Sequence, residues 1–572
     1  MMFSLLLVLQ TYATVVESFS RIQGSASWIP FSTDKYTGHQ TLNSGNVSVE
    51  LFWVANKDQD TIEFGVASQN GNTWVAIGTS DAGGMVGATI WLGYSNQGTF
   101  VLEDRYATTY GKPALSATQS SKLLSSYQTS TLTAFTFQRS ISSCNNQSIS
   151  LALDQPMWFI YAVGTDNTFQ KHQPGHNGQG LVDLSQSYFQ NYVEPTLDAN
   201  TTVVPVVAPS INLPGETTAY CYHYVDMKQL IPEKRHIIKE GTAINHPFVH
   251  HIVGYFCEAP PPEFTTPDKY FCNIYRPNGN DTITYNNTCT LLKLAWAKGG
   301  VDRLFPANVG KPIGSDSDYT RHLMIEIHYN NPDQVSGQTD PGSGFNLTVT
   351  KNLRPQEVGM ITSGVSQDFI LLPPNSTSSV VGECGTKCTN TFPSSGLTVL
   401  SSLNHMHKHG KSLTVQHIRG GQELQRLPSI TNFDFNFQSY TFVSTNQTQI
   451  LPGDRIRVNC TYNTAGETGP VVGGFSSSNE MCYSFIEYYP AMDYFTFCVQ
   501  VPDISYLPKY ANLSYSMFCP ANANLSSSMI PNTLADMPPF NALDLPTCSI
   551  KSDAIGMRFN LVGFIMVLFF SI

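Results

Sequence analysis

At 572 residues and a formal net charge of -11, the chain is longer than one hydrophobic core organises and calls for several domains. Charged residues make up 13% and apolar residues 41%, a balance that excludes a disordered or coiled-coil chain and favours many short strands joined by turns. No block of Lys and Arg offsets the acidic balance, so nucleic acid is not an expected partner.

The first residues, "MMFSLLLVLQTYATVVES", carry an apolar run from Phe3 to Leu9 followed by small and polar residues. The run lacks basic residues ahead of it but otherwise fits a signal peptide over residues 1–18, with a buried strand as the alternative. From Val47 to Phe64 apolar and polar residues alternate on both sides of Lys57, Asp58, Gln59 and Asp60, which predicts a hairpin. Further strands are predicted at 73–80, 86–94, 131–139 and 156–164, so residues 40–188 read as a β-sandwich. The proline-bearing segment 189–216 predicts an extended linker. Two more strand-rich regions follow, 217–350 and 351–530, each the size of a small sandwich domain. The expected fold is all-β, with a tail at 531–555 and a hydrophobic segment at 556–572. That segment is apolar from Leu561 to Phe570, shorter than the roughly 20 residues a helical span needs. A membrane span, a lipid-anchor signal and a buried strand are the readings it leaves open.

Twelve cysteines are scattered singly from Cys144 to Cys548. Glycosylation sequons begin at Asn46, Asn146, Asn200, Asn286, Asn346, Asn375, Asn446, Asn459, Asn512 and Asn524. Together they fit a disulfide-bonded glycoprotein of the secretory pathway, whether secreted, vesicular or at the cell surface.

The chemistry begins at "LNHMHKHG", Leu403 to Gly410, where histidines fall at every second position. Side chains two apart share one face of a strand, so His405 and His407 can present both imidazoles to one metal. His409 is followed at once by Gly410, where the chain is free to turn away. In "HPFVHHIVGYFC" the adjacent His250 and His251 would point to opposite faces of a regular strand. Both reach one metal only at a strand edge or across a bulge. Alternation in "LMIEIHYNN" separates His328, with Met324 and Glu326, from the apolar Leu323, Ile325 and Ile327. Each of these histidines also has a bland reading, as a satisfied structural residue or an exposed strand rim.

Taken in order, "HH", "EIHYNNP", "HMH", "VVGGFSSSNEMC" and "YYP" give the stretch from Thr217 to Cys519 its identity: it resembles the copper type II, ascorbate-dependent monooxygenase family. One branch of that family carries a DOMON sandwich ahead of the copper domains. The resemblance implies a DOMON-like β-sandwich at 40–188 and two jelly-roll-like copper domains at 217–350 and 351–530. It implies two coppers per chain, ascorbate as reductant, and O2 and a small molecule as substrates. His250, His251 and His328 would hold the copper that stores an electron. His405, His407 and Met481 would hold the catalytic copper; a mixed imidazole and thioether set suits that metal because the soft thioether stabilises Cu(I). Without the resemblance Met481 reads as a core methionine. The implied disulfides are Cys221 with Cys272, Cys257 with Cys289, Cys384 with Cys498, Cys388 with Cys519 and Cys460 with Cys482. Cys144 with Cys548 would tie the tail to the N-terminal sandwich.

Peptide-amidating members of the family hold their substrate's carboxylate with an arginine two residues before the HxH pair and with an Asn and a Tyr just beyond the methionine. Leu403, Tyr483 and Phe485 stand at those places here. A leucine offers a buried carboxylate no partner, which disfavours peptide amidation; the resemblance then implies a small, aromatic or otherwise apolar amine as the substrate. "GGMVGATIW" resembles the haem-binding subset of DOMON domains, in which Met85 would be one ligand of haem b and His172 or His176 the other. Met85 as core filler is the competing reading. A non-catalytic binding protein and a copper- or electron-transfer protein are the other function classes. Homo-oligomerisation and membrane association through the C-terminal tail are left open by the sequence.

Overall fold

The computed structural model describes residues 28–500, apart from 45, 144–146, 154–155, 185–196, 258–259, 262–263, 265–269, 276–288, 290, 315–320, 368–369, 425–426, 444–447 and 493–496. The expected signal peptide, the C-terminal tail and hydrophobic segment, and Cys144, Cys519 and Cys548 lie outside the described residues.

The alternation around Lys57 to Asp60 does fold as a hairpin. Ser48–Asn56 pairs antiparallel with Thr61–Ser68, Asn56 opposite Thr61, and Asp60 closes the turn at φ 52°, a region Asp tolerates better than most residues. Period-2 alternation then puts Val49, Leu51 and Trp53 beside Ile62, Phe64 and Val66 in one buried cluster. Each such side chain contributes about 1.5–3 kcal/mol on burial. The hairpin belongs to a five-stranded sheet running Gly38–Asn43, Ser48–Asn56, Thr61–Ser68, Thr133–Ser140, Lys122–Gln128. A six-stranded sheet faces it, with Met157–Val163, Val75–Ser80, Thr89–Asn96 and Thr99–Tyr106 at its centre.

Two further sandwiches follow, making the protein nearly all β. In the first, one sheet runs Tyr270–Tyr275, Thr218–Asp226, His322–Asn330, Val249–Cys257, Leu291–Ala297. In the second, the corresponding sheet contains Leu397–His405 beside Cys482–Tyr489, followed by Gly359–Val365. Each of these sheets carries histidines singled out in the sequence.

The extended linker expected at 189–216 is corrected by the pairing. Thr201–Val207 is an edge strand of the second sandwich, in register with Gly344–Thr350, and Ile211–Asn212 pairs with Thr339–Asp340. Proline removes a backbone donor but is tolerated on an edge strand, which is where Pro205 sits opposite Asn346.

Four of the implied disulfides are present: Cys221–Cys272, Cys257–Cys289, Cys384–Cys498 and Cys460–Cys482. Between the second and third sandwiches lies a buried ion cluster. Glu487 of the third accepts from Arg303 (2.6 Å) and Lys311 (2.8 Å) of the second, and both cations also pair with Glu240. The Ser401 hydroxyl donates to Glu487 as well, at 2.7 Å. Two acids balance two bases in this interface, which joins the histidine-bearing sheet of the third sandwich to the other sheet of the second.

Candidate metal centre

His250 and His251 reach the same side of their strand because the strand is bulged. Val249 lies opposite Tyr329 and His251 opposite His328, so His250 is the extra residue. The bulge places one ligand atom each from His250, His251 and His328 within 4.8 Å of one another. His251 Nδ1 and His328 Nδ1 are 3.3 Å apart, a separation that two nitrogens at bond lengths of about 2 Å from one ion readily make. Tyr220 stacks on the His328 ring at 4.5 Å, and its hydroxyl donates to the Phe475 carbonyl of the next domain at 2.8 Å.

The 397–405 strand ends at His405, and His407 lies just past it, so the pair straddles a strand end. Their rings are nevertheless 5.2 Å apart and nearly perpendicular, at 88°. Glu480, fully buried, holds this turn: its carboxylate accepts from the backbone N–H of His407 (3.0 Å) and of His409 (2.7 Å). Met481 is 7% exposed and adjoins the Cys460–Cys482 disulfide. His405 pairs with Tyr483, two residues after Met481 in the chain. The Tyr462 hydroxyl donates to the Met481 carbonyl at 2.8 Å, fixing its backbone.

His409 takes no part in the centre. Its Nδ1 meets Glu480 at 2.9 Å and its Nε2 meets Glu467 at 2.8 Å, so neither nitrogen is left for a metal.

Hydrogen bonds on the outer side of each ring select the tautomer that leaves an inner nitrogen bare. His250 Nε2–H donates to the Phe435 carbonyl (3.1 Å) and His407 Nδ1–H to the Asn479 carbonyl (3.1 Å). The opposite atoms, His250 Nδ1 and His407 Nε2, are buried without any partner. His405 Nδ1–H donates to Gln438 Oε1 at 2.7 Å, and Gln438 is itself oriented by donating its Nε2–H to the Phe435 carbonyl at 2.9 Å. Burial, and then His405 and Lys298, push His250 down to about 3; burial pushes His405 down to about 4. Burial drives His251, His328 and His407 well below the ordinary histidine value too. All five rings are therefore neutral at physiological pH, the form that binds metal. An unpartnered buried nitrogen is otherwise unfavourable by roughly 1–3 kcal/mol, so two of them aimed inward fit a metal that would complete them. The two groups adjoin, with the His251 and His405 rings 5.4 Å apart.

Residues 204–336 match the N-terminal domain, and residues 356–511 the C-terminal domain, of copper type II ascorbate-dependent monooxygenase; residues 45–164 match the DOMON domain. The chain belongs to the copper type II ascorbate-dependent monooxygenase family. Its relatives include the Mus musculus protein named DBH-like monooxygenase protein 1, 30% identical over 447 residues that cover 76% of this chain and 70% of the relative. Dopamine beta-hydroxylase of Rattus norvegicus is 27% identical over 481 residues, covering 82% and 74%. The dependence of this monooxygenase family on copper and ascorbate agrees with the donor chemistry of the two histidine groups.

The wall beside His405 is apolar. Leu403 pairs with Phe485 on one side and Tyr440 on the other. It is buried in a cluster with Leu292, Ala295 and Met360. The Tyr483 hydroxyl is engaged by Gln367, and the Phe485 ring lies 6.3 Å from His405. In the N-terminal sandwich Met85 packs on a second cluster with Trp74, Tyr94 and Phe169. His172 and His176 sit on the loop that follows Phe169. His172 Nδ1 approaches the Gln173 carbonyl at 3.0 Å, and His176 Nδ1 is buried without a partner.

Gln438, Phe435 and Glu480 escaped the sequence reading. They act through carbonyl, amide and carboxylate contacts set by loops, for which no spacing rule exists. The one available signal was the position of Glu480 directly before Met481.

Proposed function

We propose that this protein hydroxylates an aliphatic C–H of a small, aromatic or otherwise apolar amine with O2, using two coppers and ascorbate. The observation that carries the reading is the meeting of the two imidazole groups, each offering a buried nitrogen with no protein partner. His250, His251 and His328 would hold the electron-storing copper, and His405, His407 and Met481 the catalytic one. When bound, copper reduced by ascorbate supplies the one-electron and O2 chemistry. The chain's own part is to hold and orient. The Phe435 and Asn479 carbonyls and Gln438 fix three ring tautomers. The neutral rings need release no proton to bind metal.

The substrate reading is supported by the apolar wall at Leu403 and by the pairing of the neighbouring Arg303, which lies over the Tyr440 ring, with Glu240 and Glu487. The test is a screen of phenylethylamine-like compounds with copper, ascorbate and O2, read by product mass. A product heavier by one oxygen atom, with matching O2 uptake, is expected. Equal turnover of glycine-extended peptides would overturn the substrate assignment. Bound copper without coupled O2 uptake would instead favour a copper-transfer or binding role. The disulfides support passage through the secretory pathway, and no described helix is long and apolar enough to cross a membrane.

Haem b in the N-terminal sandwich is the weaker part of this reading, supported by the unpartnered His176 Nδ1 and by Met85 and Phe169 sharing one cluster. Protein produced with ample haem should show a Soret band that Met85→Ala abolishes; a wild-type chain without the band leaves Met85 as packing.

A further inference from the structure

One loop touches a histidine of each group, and the N-terminal sandwich holds that loop from behind. Residues 431–439 connect the Leu427–Ile430 and Tyr440–Phe442 strands. On the inner side, Phe435 offers its carbonyl to His250 and stacks on that ring at 4.0 Å, while Gln438 grips His405 and the same carbonyl. The Gln438 N–H donates to the Lys298 carbonyl at 2.9 Å, and the Lys298 N–H to the His250 carbonyl at 2.7 Å.

On the outer side, Asp81 caps the start of the loop. Its Oδ2 accepts from the Thr431 N–H (3.0 Å), the Thr431 hydroxyl (2.5 Å) and the Asn432 N–H (3.0 Å). The Tyr110 hydroxyl donates to the buried Asp434 at 2.5 Å. The glycine-rich stretch around Met85 has a use here that its resemblance to haem sites did not suggest. A Cβ on Gly84 would lie 2.8 Å from Phe437, and one on Gly87, at φ +80°, would lie 2.0 Å from Asn432. Only glycine lets the sandwich come this close. Gln179 completes the contact by donating to the Gly299 carbonyl at 2.6 Å, the same atom that accepts from the Ser439 hydroxyl at 2.9 Å.

We infer that the N-terminal sandwich sets the copper centre through this strap, with Asp81 as the positioning residue that fixes Phe435 and Gln438 and hence the rings of His250 and His405. The inference rests on the reading of those histidines as copper ligands. Asp81 touches neither metal nor substrate. It restrains a backbone segment whose carbonyl and amide orient two ligand rings, so both groups should respond together to its loss.

The experiment uses the full chain loaded with Cu(II), its EPR spectrum and the rate at which a chelator removes the metal. Outer-sphere partners of metal ligands typically alter affinity by about 10–100-fold, and Asp81 acts one step further out. Asp81→Ala is therefore expected to speed copper release by roughly threefold to tenfold, with a shifted EPR hyperfine pattern and an unchanged thermal midpoint. Asp81→Asn keeps an acceptor oxygen for Thr431 and Asn432 and should restore most of the wild-type spectrum. Tyr110→Phe removes one hydroxyl from an exposed side chain and should move both readouts the same way by less; it also decides the matter if Asp81→Ala fails to fold. Wild-type spectra and release rates in both variants would overturn the inference while leaving the copper reading intact. A wild-type chain that takes up no copper overturns both.

Discussion

Replacing Met481, the proposed thioether ligand, by alanine is expected to lower hydroxylated product at least about 100-fold, because losing a direct ligand would exceed the roughly 10–100-fold effect of losing an outer-sphere partner. The fold should persist. Met481 is one buried side chain at a strand entrance, and its backbone stays fixed by the Cys460–Cys482 disulfide and the Tyr462 hydroxyl. Copper bound by imidazole should largely remain, since the histidine groups are built on other strands. The specific expectation is thus a loss of turnover with near-normal copper content and a changed signature for one metal of the two. The measurements are product mass, copper stoichiometry and X-ray absorption of the Cu(I) form, where the sulfur scatterer should vanish. A variant that keeps wild-type turnover would remove Met481 from the ligand set and return it to the hydrophobic core.

The second large effect is on stability. Glu487→Gln should weaken the junction of the two copper domains by about 3–5 kcal/mol, the usual consequence of removing one partner from a buried ion pair. Arg303 and Lys311 would be left sharing Glu240 alone, with one uncompensated positive charge in a dry interface. In calorimetry this corresponds to a fall in the transition midpoint on the order of 10 °C for domains of this size. A fall of less than about 2 °C would mean that solvent or rearrangement already screens the cluster. The sign of the pH dependence follows from the carboxyl's environment. Burial alone would raise its pKa, but the charges of Arg303 and Lys311 overcome that and hold it well below the usual carboxylate range. Its stabilisation is therefore present above the unfolded value of about 4.3 and is lost only as pH falls through the lower folded one. The gap between wild type and Glu487→Gln should stay constant from neutral to mildly acidic pH and close in stronger acid.

Much of the fold was legible because strand alternation, turn residues and cysteine placement are local properties of the chain. The hairpin around Lys57 to Asp60 follows from alternation, and the strands Val75–Ser80, Thr89–Asn96, Thr133–Ser140 and Met157–Val163 from short apolar runs between turn residues. The edge strand Thr201–Val207 was hidden because Pro205 and the prolines that flank the strand resemble those of a linker, and only pairing with Gly344–Thr350 distinguishes the two. His250 and His251 posed the converse case. The sequence stated the condition under which both could serve one metal, a bulge, but a bulge depends on how the 322–330 strand aligns against them.

By itself, then, the sequence determined the residue types of the site, the order of its motifs, the family they resemble and the absence of a carboxylate partner at Leu403. These are matters of identity and spacing, which a linear chain carries in full. The tertiary structure supplied the physical reason His409 is excluded, because the carboxylates that occupy both its nitrogens arrive from positions 467 and 480. It alone decided which nitrogen of His250 and His407 is bare, and that a loop held by the N-terminal sandwich touches rings in both groups. Hydrogen-bond partners and packing angles between distant segments depend on how three sandwiches meet, and no local pattern in the sequence encodes that meeting.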